Sequence, residues 1–438
     1  MNPRLRLNDA DNDFFVRRIL SEPHEEGRTA VATKESHRKL VRAAELARDH
    51  ILGTANCANP TSALFDLTDY LQYRVRVIWV TVSDEANAFT IFETLNDRGL
   101  ALAISDLLKN YLFGISAERV PEVQSRWAEM VGTLETIDNE EILVDYIRHF
   151  WSSRHGLTRE KELYTKIKAE VRNRDQAVTF ASNLAANARV YAALSNPNHE
   201  LWLKYGETAR DHMNTLNVLR MQQIRPLLLA VLGTFTSNDV GKTLELMVGW
   251  VVRMLIVGGI GGGTLESRYS EAARKICARE VVSASQLRDA LLDIIPTDEQ
   301  FKAAFSSATV STHYLARYYL RTLERQKRGD SQPELVPINN TEFVNLEHVL
   351  PLNPSQDWNH LTEEEQTAYC KRIGNMALLK TRVNVGAGND GFGAKKTAYA
   401  QSEYELTKGI AGYSDWGPNE IGERQTLLAE IAVEAWRR

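Results

Sequence analysis

The stretch Asn345-Leu346-Glu347-His348-Val349-Leu350-Pro351 is answered later in the chain by Gly374-Asn375-Met376-Ala377-Leu378-Leu379, and then by Asn384. Each apolar run is short enough to be a single strand. The first carries an acid beside an imidazole and stops at a proline. The second opens on Gly-Asn. Nine positions separate Asn375 from Asn384, enough for a short strand, a turn and the first turn of a helix that brings Asn384 back toward Glu347. Glu347 and His348 are neighbours, so on a regular strand they point to opposite faces. If they act together, a twist or bulge is expected there.

Strand, strand and helix bearing these groups in this order resemble the ββα-metal (HNH, His-Me finger) nucleases. The resemblance implies that His348 is the general base for an attacking water. Glu347 and Asn384 would hold one hard divalent cation, Mg²⁺ (or Mn²⁺), through oxygen. Asn375 would bond the other imidazole nitrogen and fix the ring. A Glu-His pair before proline is by itself a common strand end; the later asparagines in order give the reading its weight. Lys380, Arg382, Asn389, Lys395 and Lys396 surround the asparagines and are candidates for phosphate or DNA contact, with Asn389 and Lys395 equally readable as structural.

Composition sets outer limits. The 438 residues suffice for two or three domains. A net charge of −5 supplies no global nucleic-acid signal, so a DNA enzyme needs a local basic face or a partner that provides one. Cys57, Cys277 and Cys370 stand far apart. No pair has metal-ligand spacing, so no zinc is expected, and an odd, scattered set fits a reducing cytoplasm. The N-terminus is charged from Arg4 to Asp13, unlike a signal peptide. No apolar run nears the ~20 residues of a membrane span, so no membrane partner is expected.

Going outward from the C-terminal motif, the pattern is mostly α: a helical N-terminal and middle region with a small β element, followed by a C-terminal ββα-metal α+β domain. Domain limits are expected at 1–115, 116–330 and 331–438, the last boundary where the basic turn Arg325-Gln326-Lys327-Arg328 gives way to Gly329-Asp330-Ser331-Gln332-Pro333. Residues 74–82 read as a strand from their β-branched enrichment. Helices are expected over 36–52, 61–71, 122–134, 140–151, 159–171, 176–194, 221–235, 239–257, 265–281, 284–294, 311–326, 362–372 and 420–436. Gly241-Lys242-Thr243 imitates the end of a P-loop, but position 236 is Thr236 rather than the glycine that motif requires, and no strand feeds it. Gly258-Gly259-Ile260-Gly261-Gly262-Gly263 reads as a helix–helix loop, because a dinucleotide site needs a preceding strand. Between Phe92 and Lys109, Asn96, Asp97 and Gly99 supply turn chemistry. Asn96, Arg98, Asp106 and Lys109 are candidates for a pocket or an interface.

Three stretches together carry a closer resemblance. Leu346-Glu347-His348-Val349-Leu350-Pro351, Trp358, Gly374-Asn375-Met376-Ala377-Leu378-Leu379, Asn384, Asn389, Phe392, Lys395 and Tyr399 resemble the C-terminal HNH domain of GmrSD-type, modification-dependent (type IV) restriction endonucleases. Phe92-Glu93-Thr94-Leu95-Asn96-Asp97-Arg98-Gly99-Leu100 with Ser105-Asp106-Leu107-Leu108-Lys109 resembles the later part of the companion N-terminal domain, as do Arg148-His149-Phe150-Trp151 and Arg154-His155-Gly156. The resemblance implies a metal-dependent DNA endonuclease of a phage-defence system, acting on DNA with modified bases or backbone. In that family the N-terminal domain begins with a nucleotide-handling subdomain bearing a DGQQR motif. This sequence has no such motif, and the chain is expected to start after that subdomain would have ended. No nucleotide is therefore expected for this chain alone, and a separate subunit carrying the DGQQR domain is an expected partner. The competing reading is a non-catalytic subunit that binds DNA or such a partner.

Overall fold

The computed structural model describes residues 6–7, 11–22, 24, 26–76, 104–137, 141–329, 343–380 and 390–438. Contacts group the chain into two compact units, Met1–Ser83 and Asp84–Arg438. The first holds α1 (Glu35–Ala55) and α2 (Pro60–Asp69). The Asn59 side chain accepts from the Ser62 amide, and Pro60 lies in the first turn of α2 where its missing N–H costs nothing. The buried Phe14 ring stacks on His37 with centroids 3.9 Å apart. Of the strand expected over 74–82, Arg74 instead closes a π-helical turn, Tyr70–Arg74, and residues 77–82 lie outside the described residues.

The second unit begins with helices. They are α3 (Ile104–Ile115), α4 (Val120–Leu134), α5 (Ile142–His155), α6 (Glu160–Glu170), α7 (Arg174–Ser195) and α8 (Glu207–Leu219). Next come α9 (Arg225–Thr234), α10 (Ser237–Val257), α11 (Gly262–Cys277), α12 (Ala284–Leu291), α13 (Asp298–Phe305) and α14 (His313–Arg328). Central helices are apolar around most of their circumference. In α9 every residue from Pro226 to Leu232 is buried, and in α10 so is every residue from Met247 to Met254. The two glycine-rich decoys fall as expected. Gly241-Lys242-Thr243 lies inside α10, whose N-cap is Thr236, and Gly258 and Gly259 adopt positive φ in the loop before α11. The helix expected over 221–235 is split, a 3₁₀ turn at Gln222–Ile224 preceding α9, with Pro226 in its first turn.

The C-terminal part contains β1 (Val344–His348), α15 (Glu363–Tyr369), β2 (Met376–Lys380), α16 (Phe392–Ala400), α17 (Glu405–Lys408) and α18 (Pro418–Ala435). The two strands pair antiparallel, Val344 with Lys380 through to His348 with Met376. Alternation gives this hairpin two different faces. Val344, Met376 and Leu378 join the large core of the helical part. Ala377 and Leu379 join a smaller core with Val349, Leu350, Trp358, Phe392, Tyr399 and Trp416. The hairpin is thus a wall shared by two cores. The helical part and the C-terminal part form one compact unit, and the linker expected near 330 falls at residues 330–342, outside those described.

Candidate functional site

Gly374 and Asn375 are fixed by what passes close to them. A Cβ on Gly374 would overlap the Ile421 carbonyl oxygen and lie 2.8 Å from Gln425 Cβ, so glycine allows α18 to press against this turn. Gln425 Oε1 accepts from the Gly374 amide (3.2 Å), and Arg424 Nη1 donates to the Gly374 and Met376 carbonyls (2.6 and 2.9 Å). The Asn375 side chain is fully buried. Its Oδ1 accepts from the Leu350 amide (2.8 Å) and from Trp416 Nε1 (2.9 Å). Its Nδ2 donates to the Leu350 and Cys370 carbonyls (2.9 and 3.0 Å). Two donors and two acceptor positions exhaust a carboxamide. The expectation that Asn375 bonds the imidazole is therefore corrected: it holds the chain just beyond β1, and the Val349 amide also donates to the Asn375 carbonyl (3.0 Å).

Glu347 and His348 leave the strand on opposite faces. The ladder runs in register through both, without the expected bulge. Glu347 faces the smaller core, where its Oε1 accepts from Lys395 Nζ (2.8 Å) and Tyr399 OH (2.9 Å). Burial holds this carboxyl above its ordinary range, although Lys395 and Tyr399 oppose that shift. His348 ends β1 on the other face, its ring centroid 6.1 Å from that of His313, the first residue of α14. Among the described residues nothing hydrogen-bonds the His348 ring. Burial, followed by the neighbouring His313, Lys395 and Lys371, pushes its pKa down to about 4. The ring is neutral at physiological pH.

The other sequence candidates disperse. Lys395, a candidate phosphate contact by sequence, has a buried ammonium that donates to Glu347 and to the His348 and Val349 carbonyls (3.2 and 3.3 Å). Its three donors are occupied inside the protein. Lys396 donates to the Tyr413 carbonyl (2.6 Å), and Lys380 pairs with Glu403 on the surface (2.6 Å). Asp106 and Lys109 pair with each other in α3 at 3.2 Å. Asn96, Arg98, Arg382, Asn384 and Asn389 lie outside the described residues. Nothing in the sequence pattern points to His313, which carries no motif and precedes His348 by a whole helix and linker. Trp358, in contrast, anchors the chain at the start of α16. Its Nε1 donates to the Asp390 carbonyl (3.2 Å), while Asp357 accepts from the Gly391 amide (3.1 Å).

A hard divalent cation asks for oxygen donors. Glu347 carries such oxygens, but its carboxyl is buried and Oε1 is already engaged by Lys395 and Tyr399. Among the described residues no group of three or more His, Cys, Asp or Glu side chains could hold a metal ion. A cation at Glu347 would need further oxygen donors from beyond the described residues or from water and substrate.

A buried hairpin with a neutral imidazole at its end, braced by a long C-terminal helix, is the site of a helical protein with a small α+β module. Comparison with known families assigns both ends. Residues 2–113 match the GmrSD restriction endonuclease N-terminal domain, and residues 295–431 match the GmrSD restriction endonuclease C-terminal domain. Together these matches cover more than half of the chain, which thus carries both domains of the GmrSD restriction endonucleases, nucleases of modification-dependent restriction. No curated protein matches the sequence. Among the described residues no helix is long and apolar enough to cross a membrane.

Proposed function

We propose that the chain is an HNH-type, metal-dependent DNA endonuclease of a modification-dependent (type IV) restriction system, with His348 as the general base. The observation that carries this reading is the neutral, partly enclosed His348 ring at the end of β1, without a hydrogen-bond partner among the described residues. A neutral imidazole can accept a proton from water. The neighbours that depress its pKa are basic residues, so an incoming phosphate offsets them and moves the base toward its working range. Glu347 and Asn384 would hold Mg²⁺ or Mn²⁺; bound there, such a cation supplies Lewis-acid stabilisation of charge on the phosphoryl oxygens. Because Glu347 and His348 leave opposite faces, a phosphate served by both lies across the edge or end of β1. Modified DNA as the preferred substrate, and a separate subunit bearing a DGQQR domain, belong to the same proposal.

One observation favours a second reading. The Glu347 carboxylate is already paired with a buried ammonium, as suits a structural acid in a non-catalytic DNA- or partner-binding subunit. The deciding experiment is cleavage of plain and base-modified plasmid DNA with Mg²⁺ or Mn²⁺, wild type beside His348→Ala. General-base loss should lower the rate by ~10²–10⁴, and chelator should abolish cleavage. Folded wild type that binds DNA and cuts no substrate would support the second reading. Cleavage unchanged in His348→Ala would overturn the assignment of the base.

A further inference from the structure

Away from the hairpin, α10, α12, α14 and the C-terminal residues enclose a cavity of about 600 Å³. Lys242, Arg288, Arg321, Arg325 and Arg437 line it against two carboxylates, Glu245 and Glu434. Lys242, Arg288 and Arg437 are exposed, while Arg321 and His212 are only partly so. Two polar atoms of the lining, Arg321 Nε and His212 Nδ1, are buried without a hydrogen-bond partner. Buried donors left unpaired are uncommon and costly. Burial and the like charge of Arg325 both lower the Arg321 pKa, opposed by Asp211. Five cations against two carboxylates around one concavity leave an excess of positive charge that anions relieve, and guanidinium groups suit phosphate oxygens in particular.

We propose that this cavity binds a small molecule carrying two or more phosphates. Its volume lies within the range of small-ligand sites. Arg321 and Arg325 are less exposed than Lys242, Arg288 and Arg437, a graded depth that suits a compact anion better than the backbone of a duplex. Exposed Lys242 and Arg288 then take the outer phosphate. The site would bear on the hairpin through α14, because Arg321 and Arg325 lie on the helix that begins at His313. The binding proposal itself does not rest on the nuclease reading.

The test is calorimetric titration of the full chain with pyrophosphate, tripolyphosphate and nucleoside triphosphates, beside a short DNA duplex. The variants are Arg321→Gln and the surface double variant Lys242→Gln/Arg288→Gln. The expected result is saturable binding of the oligophosphates, weakened about tenfold or more in each variant. Arg321→Gln should melt no lower than wild type without ligand, because the removed group has an unmet donor. The double variant alters exposed side chains and guards against misfolding as the cause of lost binding. A nucleoside triphosphate binding more tightly than tripolyphosphate would place the phosphates on a nucleoside; equal binding would place recognition on the phosphate chain alone. Either supports the site. No oligophosphate binding by wild type, or equal binding by wild type and both variants, would overturn it. So would a result in which the variants lose only duplex binding, since that makes the cavity a contact for the DNA backbone.

Discussion

Lys395 places all its N–H donors inside the protein, on Glu347, the His348 carbonyl and the Val349 carbonyl. One side chain thereby neutralises the buried acid and grips the backbone carbonyls of the proposed base and of the residue after it. A buried ion pair stabilises little relative to a well-packed apolar pair, but removing one partner leaves an uncompensated charge. Lys395→Met should therefore destabilise the protein by ~3–5 kcal/mol. Adding Glu347→Gln should recover a large part of that loss, since the stranded carboxylate is gone. Urea denaturation of the wild type, the two single variants and the double variant reads this coupling directly. Additive single effects would mean that the pair is not the connection described. The same cycle separates the structural role of Glu347 from its proposed metal role, because stability is read without metal or DNA.

At the scale of elements, the hairpin is held from outside by α18. Gly374 lets that helix close in, and Gln425 spans it, accepting from Gly374 and donating to the Phe305 and Ala308 carbonyls (2.7 and 2.9 Å). Gly374→Ala must push α18 away or bend the turn, because the obstructing atoms include backbone. A loss of roughly 1–3 kcal/mol is expected, as for other overpacked sites, with lowered thermal stability and, through the displaced Asn375 amide, a looser end to β1. A melting temperature equal to wild type would contradict the close approach. The hairpin is legible in the sequence, since short apolar runs, a terminal proline and a Gly-Asn opening are local signals. Its partners are not. Lys395 lies 48 residues from Glu347, and Gln425 lies 51 from Gly374, so no spacing rule joins them. Asn375 misleads for the same reason: its residue type fits a bond to the imidazole, but its position in space fills the amide with backbone and Trp416. Two helices are also illegible. In α13 only Phe301 and Phe305 are buried, too few to establish a period, and in α8 the stripe Ala209, Met213, Leu216 and Leu219 is narrow and set in an otherwise polar segment.

For the molecule as a whole, stability should respond to acid through groups far from the hairpin. His149 in α5 is buried with both ring nitrogens engaged, Nδ1 with Tyr191 OH (2.8 Å) and Nε2 with Arg148 Nη2 (3.0 Å). A guanidinium only donates, so Nε2 accepts and Nδ1–H donates to the tyrosine. This arrangement needs the neutral ring. Burial, then Arg148 and Arg225, hold the His149 pKa well below its ordinary value. The sign follows from proton binding. Above the unfolded pKa of ~6.5 neither state is protonated and the native bonds contribute in full. Below it the unfolded chain takes up a proton that the folded chain refuses, so stability falls by up to ~1.4 kcal/mol per pH unit from this group until the folded ring titrates. Replacing His149 by Gln removes this contribution. The variant is expected to be less stable than wild type at pH 7.5, having lost a fitted ring, yet to lose less of its remaining stability between pH 7.5 and pH 5.5. Urea midpoints at the two pH values decide the matter, since equal losses in wild type and His149→Gln would show that the acid response arises elsewhere in the chain.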